Sequence, residues 1–193
     1  MKNAGHGQAA ILLISDYQKI RKILKSKRYR LLVDIAWYTG ERWGAVCQLR
    51  VADVYDDNGG VRSHITFRAS TRKASPDGKR TTRTVPVHPQ LEELLNAYTP
   101  SQGEWLFESR VDPGEPITLR AADLMFRGAV EKAGLSHKGF STFSTRLTFI
   151  TRLWQAGIDL HTIQLLTGHS DIKSLTRYLK PDPERVKKAI AVL

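Results

Sequence analysis

One cysteine, Cys47, stands in 193 residues. It leaves no partner for an internal disulfide and excludes any multi-cysteine metal site, so a reducing cytosol is the natural setting. Long apolar runs are missing too. Nothing approaches the roughly 18 residues of a membrane helix, and AAILLIS (9–15) is too short and wrongly flanked for a signal peptide. The six histidines are scattered without HExxH or paired His/Cys spacing, which argues against a zinc site. There is no P-loop to cradle a nucleotide's phosphates, no internal repeat and no low-complexity tract. Acidic residues are scarce, 19 against 30 Lys and Arg, for a net charge of +11 and a pI near 9.9. That balance favours a polyanion, nucleic acid before anionic membrane.

What is present describes one globular domain: 41% hydrophobic and 25% charged residues, enough to bury a core. The cations cluster in YQKIRKILKSKRYR (17–30) and RASTRKASPDGKRTTR (68–83). In the first, Ile20, Ile23, Leu24 and Leu31 give an apolar stripe. Its basic side is either a solvated helix face or a surface laid along phosphates.

Residues 1–14 read as a leader, and Ser15-Asp16 offers an N-cap for a helix to about Lys25. A second helix, YRLLVDIAWYT, stops at Gly40, and a short one carries Arg42 to Leu49. VADVYDDNGGVRSHITFRAST (51–71) alternates around an Asn58-Gly59-Gly60 turn, and RTTRTVPVHP (80–89) supplies a third strand after a turn at Pro76-Asp77-Gly78. From Pro89 the period is helical, with further helices near 118–134, 144–156, 160–167, 171–179 and 183–192. The expected class is α+β: a mostly helical single domain with a small three-stranded antiparallel sheet.

Cationic residues recur where elements begin or end: Arg42 in YTGERWGAVCQLR, Lys73 closing SHITFRASTRK, Arg146 in FSTRLTF. In LTGHSDIKSLTRYLK, His169 precedes Tyr178 by nine positions. Alone, that tyrosine reads as a half-buried helix aromatic. Together, TGER, RTVPVHP and QAGIDLHTIQLLTGHS followed by the tyrosine resemble the tyrosine recombinase (phage integrase) family, from about residue 15 to the C-terminus.

The resemblance implies a catalytic domain over 15–193, with no N-terminal core-binding domain in this chain, that cleaves and rejoins double-stranded DNA. Tyr178 would attack a scissile phosphate, giving a 3′-phosphotyrosyl link and a free 5′-hydroxyl. The bond energy stays in the ester, so no metal, ATP or other cofactor is needed. Arg42 and Arg146 would steady the pentacoordinate phosphate, and Lys73, with Lys79 as its rival, would protonate the leaving oxygen. His169 would bond a non-bridging oxygen or assist proton transfer. Arg83 reads as structural or backbone-contacting. Two positions depart from the family: Phe143 stands where a histidine is usual, and Ala45 where a glutamate is. The nearest upstream histidine, His137, lies nine residues before Arg146. A phenyl ring cannot accept a phenolic proton, so the alternative is a catalytically impaired DNA-binding regulator of the same fold. The resemblance further implies assembly into a tetramer on DNA, with the final helix (apolar Val186, Ile190 and Val192) docking on a neighbour or folding back on its own core. Neither membrane nor small-molecule substrate is expected, and the setting is a prokaryotic cytoplasm, at the nucleoid.

Overall fold

The computed structural model describes residues 9–72, 74, 78–176, 178–179 and 183–191. Helix α1 (Ile14–Ile23) leads into α2 (Lys27–Thr39) and the short α3 (Trp43–Cys47). Strands β1 (His64–Phe67) and β2 (Arg83–Pro86) follow, then α4 (Pro89–Asn96) and α5 (Leu119–Lys132). The chain continues through α6 (Thr142–Gln155), α7 (Leu160–Thr167), α8 (Ile172–Thr176) and α9 (Pro183–Ile190).

Helix α2 is the hub. Leu32, Val33, Ile35 and Ala36 are fully buried, so the helix is covered on more than one side, by α3, α4 and α6, with Tyr17 and Arg21 of α1 reaching Trp37 and Asp34. Each large aliphatic side chain removed from water contributes about 1.5–3 kcal/mol. The main core gathers these with Ile20 of α1, Phe67 of β1, Leu91 of α4 and Phe126 of α5. A second, much smaller cluster sits apart: Ile150, Ile163 and Leu175, with Leu153, Trp154 and Tyr178 packed partly against it.

Local rules hold at several helix ends. Gly40 ends α2 in the left-handed conformation (φ 59°). Ser141 caps α6 in a capping box with Ser144, which starts that helix at Thr142. At α1 they do not. The helix begins at Ile14, its cap residue Leu13 contributes no side-chain bond, and Asp16 lies buried in the first turn. Its carboxylate accepts from Lys138 Nζ at 2.8 and 2.9 Å, so a tertiary ion pair takes the group that a local cap would have used.

Among the described residues the sheet has two strands, not three. Strands β1 and β2 pair antiparallel with Ile65 opposite Val85 and Phe67 opposite Arg83. The segment read as the first strand becomes a 3-10 turn, Val51–Asp53, because Asp53 folds back to accept from the Arg50 backbone N–H and pairs with Arg68. Only an isolated Tyr55–Val61 bridge survives there, across the turn expected at 58–60. The Pro76-Asp77-Gly78 turn falls mostly outside the described residues.

The two basic segments are used differently. In the first, Arg21 pairs with buried Asp34 at 2.9 Å and Arg28 donates to Glu108 O, while Lys19, Lys22, Lys25 and Lys27 face solvent. In the second, Arg72 and Arg83 turn inward and are nearly buried. Among the described residues no helix is long and apolar enough to cross a membrane.

Candidate active site

Three chain segments converge on an open cleft of about 810 Å³ whose lining includes Arg42, Arg72, Lys79, His169 and Tyr178. Arg42 arrives as the N-cap residue of α3, straight after the left-handed turn at Gly40. The hairpin brings Arg72, and Arg83 from β2 lies over the Phe67 ring at 5.4 Å. His169 and Tyr178 bracket α8.

Arg146, in the second turn of α6, does not line the cleft. It lies beneath it, 1% exposed. Its Nη1 donates to Gly40 O and its Nη2 to Thr167 O, both at 2.9 Å. One guanidinium thus ties the end of α2 to the end of α7. Gly40 also lets the Phe149 side chain of α6 pack against the turn, where a Cβ would collide with its ring. Gly168 does the same for the hairpin. It caps α7 at φ 62°, and a Cβ would come within 2.2 Å of Arg72 Nη2.

The histidine's tautomer follows from its neighbours. The Thr167 hydroxyl lies 2.6 Å from Ile163 O, which takes its one proton. His169 Nδ1, also 2.6 Å from that oxygen, must then be the donor. The Nε2 lone pair is left facing Arg146 Nη2 at 3.4 Å. Burial, then the Arg146 and Arg42 charges, push the His169 pKa down to about 4, so the ring is neutral at pH 7. Burial and Arg42 also lower Arg146, to about 9, which leaves the guanidinium charged at pH 7. Arg83 falls to about 10 through burial, opposed by Glu41.

Tyr178 stands with its ring centroid 5.5 Å from that of His169 and 5.6 Å from that of Phe143. Its body rests on the smaller cluster while the residue stays partly exposed to the cleft. Of the five expected site residues, Arg42, Arg146, His169 and Tyr178 converge here, and Lys73 lies outside the described residues. Lys79 reaches the cleft wall.

Sequence reasoning missed Glu41 and Arg72. Both are nearly buried, at 1% and 8% exposure. Glu41 Oε2 lies 2.7 Å from Arg83 Nη2 and 3.6 Å from Arg72 Nε. A charged residue between Gly40 and Arg42, in a turn with no periodicity to read, carries no sequence signal for burial. With the guanidinium groups of Arg72, Arg83 and Arg146 around one carboxylate, the cluster keeps an excess of positive charge. Among the described residues Arg146 Nε and the Nε and Nη1 of Arg83 find no hydrogen-bonding partner. Buried donors in that state suit an anion.

Residues 11–185 match the model of the phage integrase family. The chain belongs to that family. This family member is 27% identical over 173 residues to a tyrosine recombinase of Pseudothermotoga lettingae, covering 87% of this chain and 55% of that protein. It is 29% identical over 167 residues to tyrosine recombinase XerA of Thermococcus kodakarensis, covering 84% and 54%. It therefore spans about half the length of these curated relatives. Its fold matches the crystal structure of XerA recombinase with a TM-score of 0.72 at 21% identity, over 95% of this chain and 65% of that one. The XerH site-specific recombinase bound to its difH substrate, in a pre-cleavage complex, matches with a TM-score of 0.69 at 22% identity, over 95% and 54%. The mostly helical fold with one small sheet is the one these structures share.

Proposed function

We propose that this chain is the catalytic domain, over 15–193, of a site-specific DNA recombinase that breaks and rejoins duplex DNA through Tyr178. One observation carries the reading: a tyrosine beside a neutral histidine in a cleft walled by arginines, with unpartnered guanidinium donors beneath. Tyr178 Oη attacks the scissile phosphorus, the bond to the 5′-oxygen breaks, and the DNA 3′ end becomes a phosphotyrosyl ester. Attack by a second strand's 5′-hydroxyl reverses the step with no external energy source. Arg42 meets the phosphate from the cleft wall, and Arg146 supports it from below through its free Nε. His169 Nε2 takes a hydrogen bond or a proton on the same side. The leaving 5′-oxygen receives its proton from a hairpin lysine, Lys73 or Lys79.

Phe143 sits against Tyr178 and offers no lone pair, so cleavage is expected to be slower than with a histidine there, on the order of 100-fold. The cationic cleft fits duplex DNA as partner, in the cytoplasm at the nucleoid. The exposed Val186 and Ile190 of α9 suit docking on a second copy, in keeping with a tetramer on DNA.

The deciding experiment is incubation with a nicked duplex built from the flanking genomic DNA, read on a denaturing gel beside Tyr178→Phe. A covalent adduct lost in the variant is expected. Tight binding of the same DNA without any adduct would leave a non-catalytic regulator.

A further inference from the structure

We propose that Glu41 is the positioning residue of the arginine cluster, holding the phosphate-binding guanidinium groups in register for attack; this rests on the recombinase reading above. The carboxylate is 1% exposed, and each of its oxygens serves a different pair of arginines. Oε1 accepts from the backbone N–H of Arg42 at 2.7 Å and lies 3.7 Å from Arg146 Nη1. Oε2 lies 2.7 Å from Arg83 Nη2 and 3.6 Å from Arg72 Nε. Those four arginines come from the α2–α3 turn, the hairpin and α6, so this one carboxylate touches three separate parts of the chain.

The physical need is plain. Arg42, Arg72, Arg83 and Arg146 repel one another, and the Arg146 pKa is already lowered by both Arg42 and Arg83. Without a counter-charge at the centre they would spread apart. A single carboxylate pairs with three of them, fixes the backbone of Arg42, and offsets one charge of four, which leaves the cluster cationic for a phosphate. Position 45, read in the sequence as a departure from the family's usual glutamate, carries Ala45 packed in the main core. The carboxylate that serves the arginines in this chain stands four residues earlier.

Glu41 acts through the arginines and not on DNA, so its loss should separate cleavage from binding. In the nicked-duplex assay, Glu41→Asp keeps the charge but retracts it by one methylene. It should form the covalent adduct roughly 10- to 100-fold more slowly while binding the duplex as tightly as the parent. Glu41→Gln should cleave more slowly still and bind no more weakly, since it adds a net positive charge. Arginine side-chain NMR gives a second readout, free of activity: the Nη groups of Arg83 and Arg146 that face Glu41 should rotate and exchange slowly in the parent and faster in Glu41→Gln. Parent-like adduct rates in both folded variants would overturn the proposal. So would Glu41→Asp losing melting temperature, duplex binding and adduct together, which marks a merely structural role. If the parent itself forms no adduct, the recombinase reading fails and the NMR still decides: faster exchange upholds the positioning role, unchanged exchange ends it.

Discussion

The two hydrophobic clusters divide the labour of this chain. The main core, from α1 through α5 with the hairpin, encloses α2 on several sides and anchors Arg42 and Arg83 on stiff supports. Among the described residues the second cluster has Ile150, Ile163 and Leu175 fully inside, and it carries Tyr178. Of the cations at the phosphate in the proposed reaction, Arg42 belongs to the well-packed region and Arg146 to the helix that joins the two, while the nucleophile sits on the thin one. Fixed charge tolerates no drift, whereas an attacking group must approach, bond and later release. Low local packing supplies that freedom at small energetic cost.

The joint between the regions is Arg146, and breaking it should have the largest effect. Arg146→Ala strips the partners from two buried carbonyls and from Glu41, so a loss of about 3–5 kcal/mol is expected in urea unfolding. Truncations on either side sharpen the contrast. Ile35→Ala in the main core should cost about 2–5 kcal/mol of global stability. Ile163→Ala should instead speed amide exchange in α7 and α8, with little change in α2. Equal acceleration in both helices would mean the two clusters open as one unit.

Acid should weaken the thin region first. The pKa of His169 is held near 4, below its unfolded value of about 6.5. Between those values the unfolded chain binds more protons, so stability rises with pH there. The contribution is complete above pH 6.5 and is lost as pH falls toward 4, amounting to about 3 kcal/mol. A His169→Gln variant should show a flatter melting profile over that window. The smallest effect concerns Cys47. It is buried in α3 with its pKa pushed up to about 12 by desolvation, so a thiol reagent should leave the folded protein unlabelled until it is denatured.

Much of the fold was legible because its signals are local. The stop of α2 at Gly40 is written in a glycine, and the span of α5 in a 3.6-residue period. The failures share one cause. Ser15-Asp16 looks like a cap and 51–55 like a strand, yet Asp16 is claimed by Lys138, 122 positions away. Asp53 is claimed by Arg50 and Arg68, which turns its segment into a 3-10 turn. A side chain with a stronger tertiary partner does not honour its local preference.

The site divides in the same way. Residue types and their order, Arg42 ahead of Arg146, His169 and Tyr178, are properties of the sequence alone, and they were enough to suggest the chemistry. So were the positive charge and the lone cysteine. Only the tertiary structure decided that Arg146 lies beneath the cleft, that His169 is neutral and donates its Nδ1–H to Thr167, and that Glu41 pairs with three buried arginines. Those facts depend on burial and on charges brought together from distant parts of the chain, and neither is encoded in any local stretch.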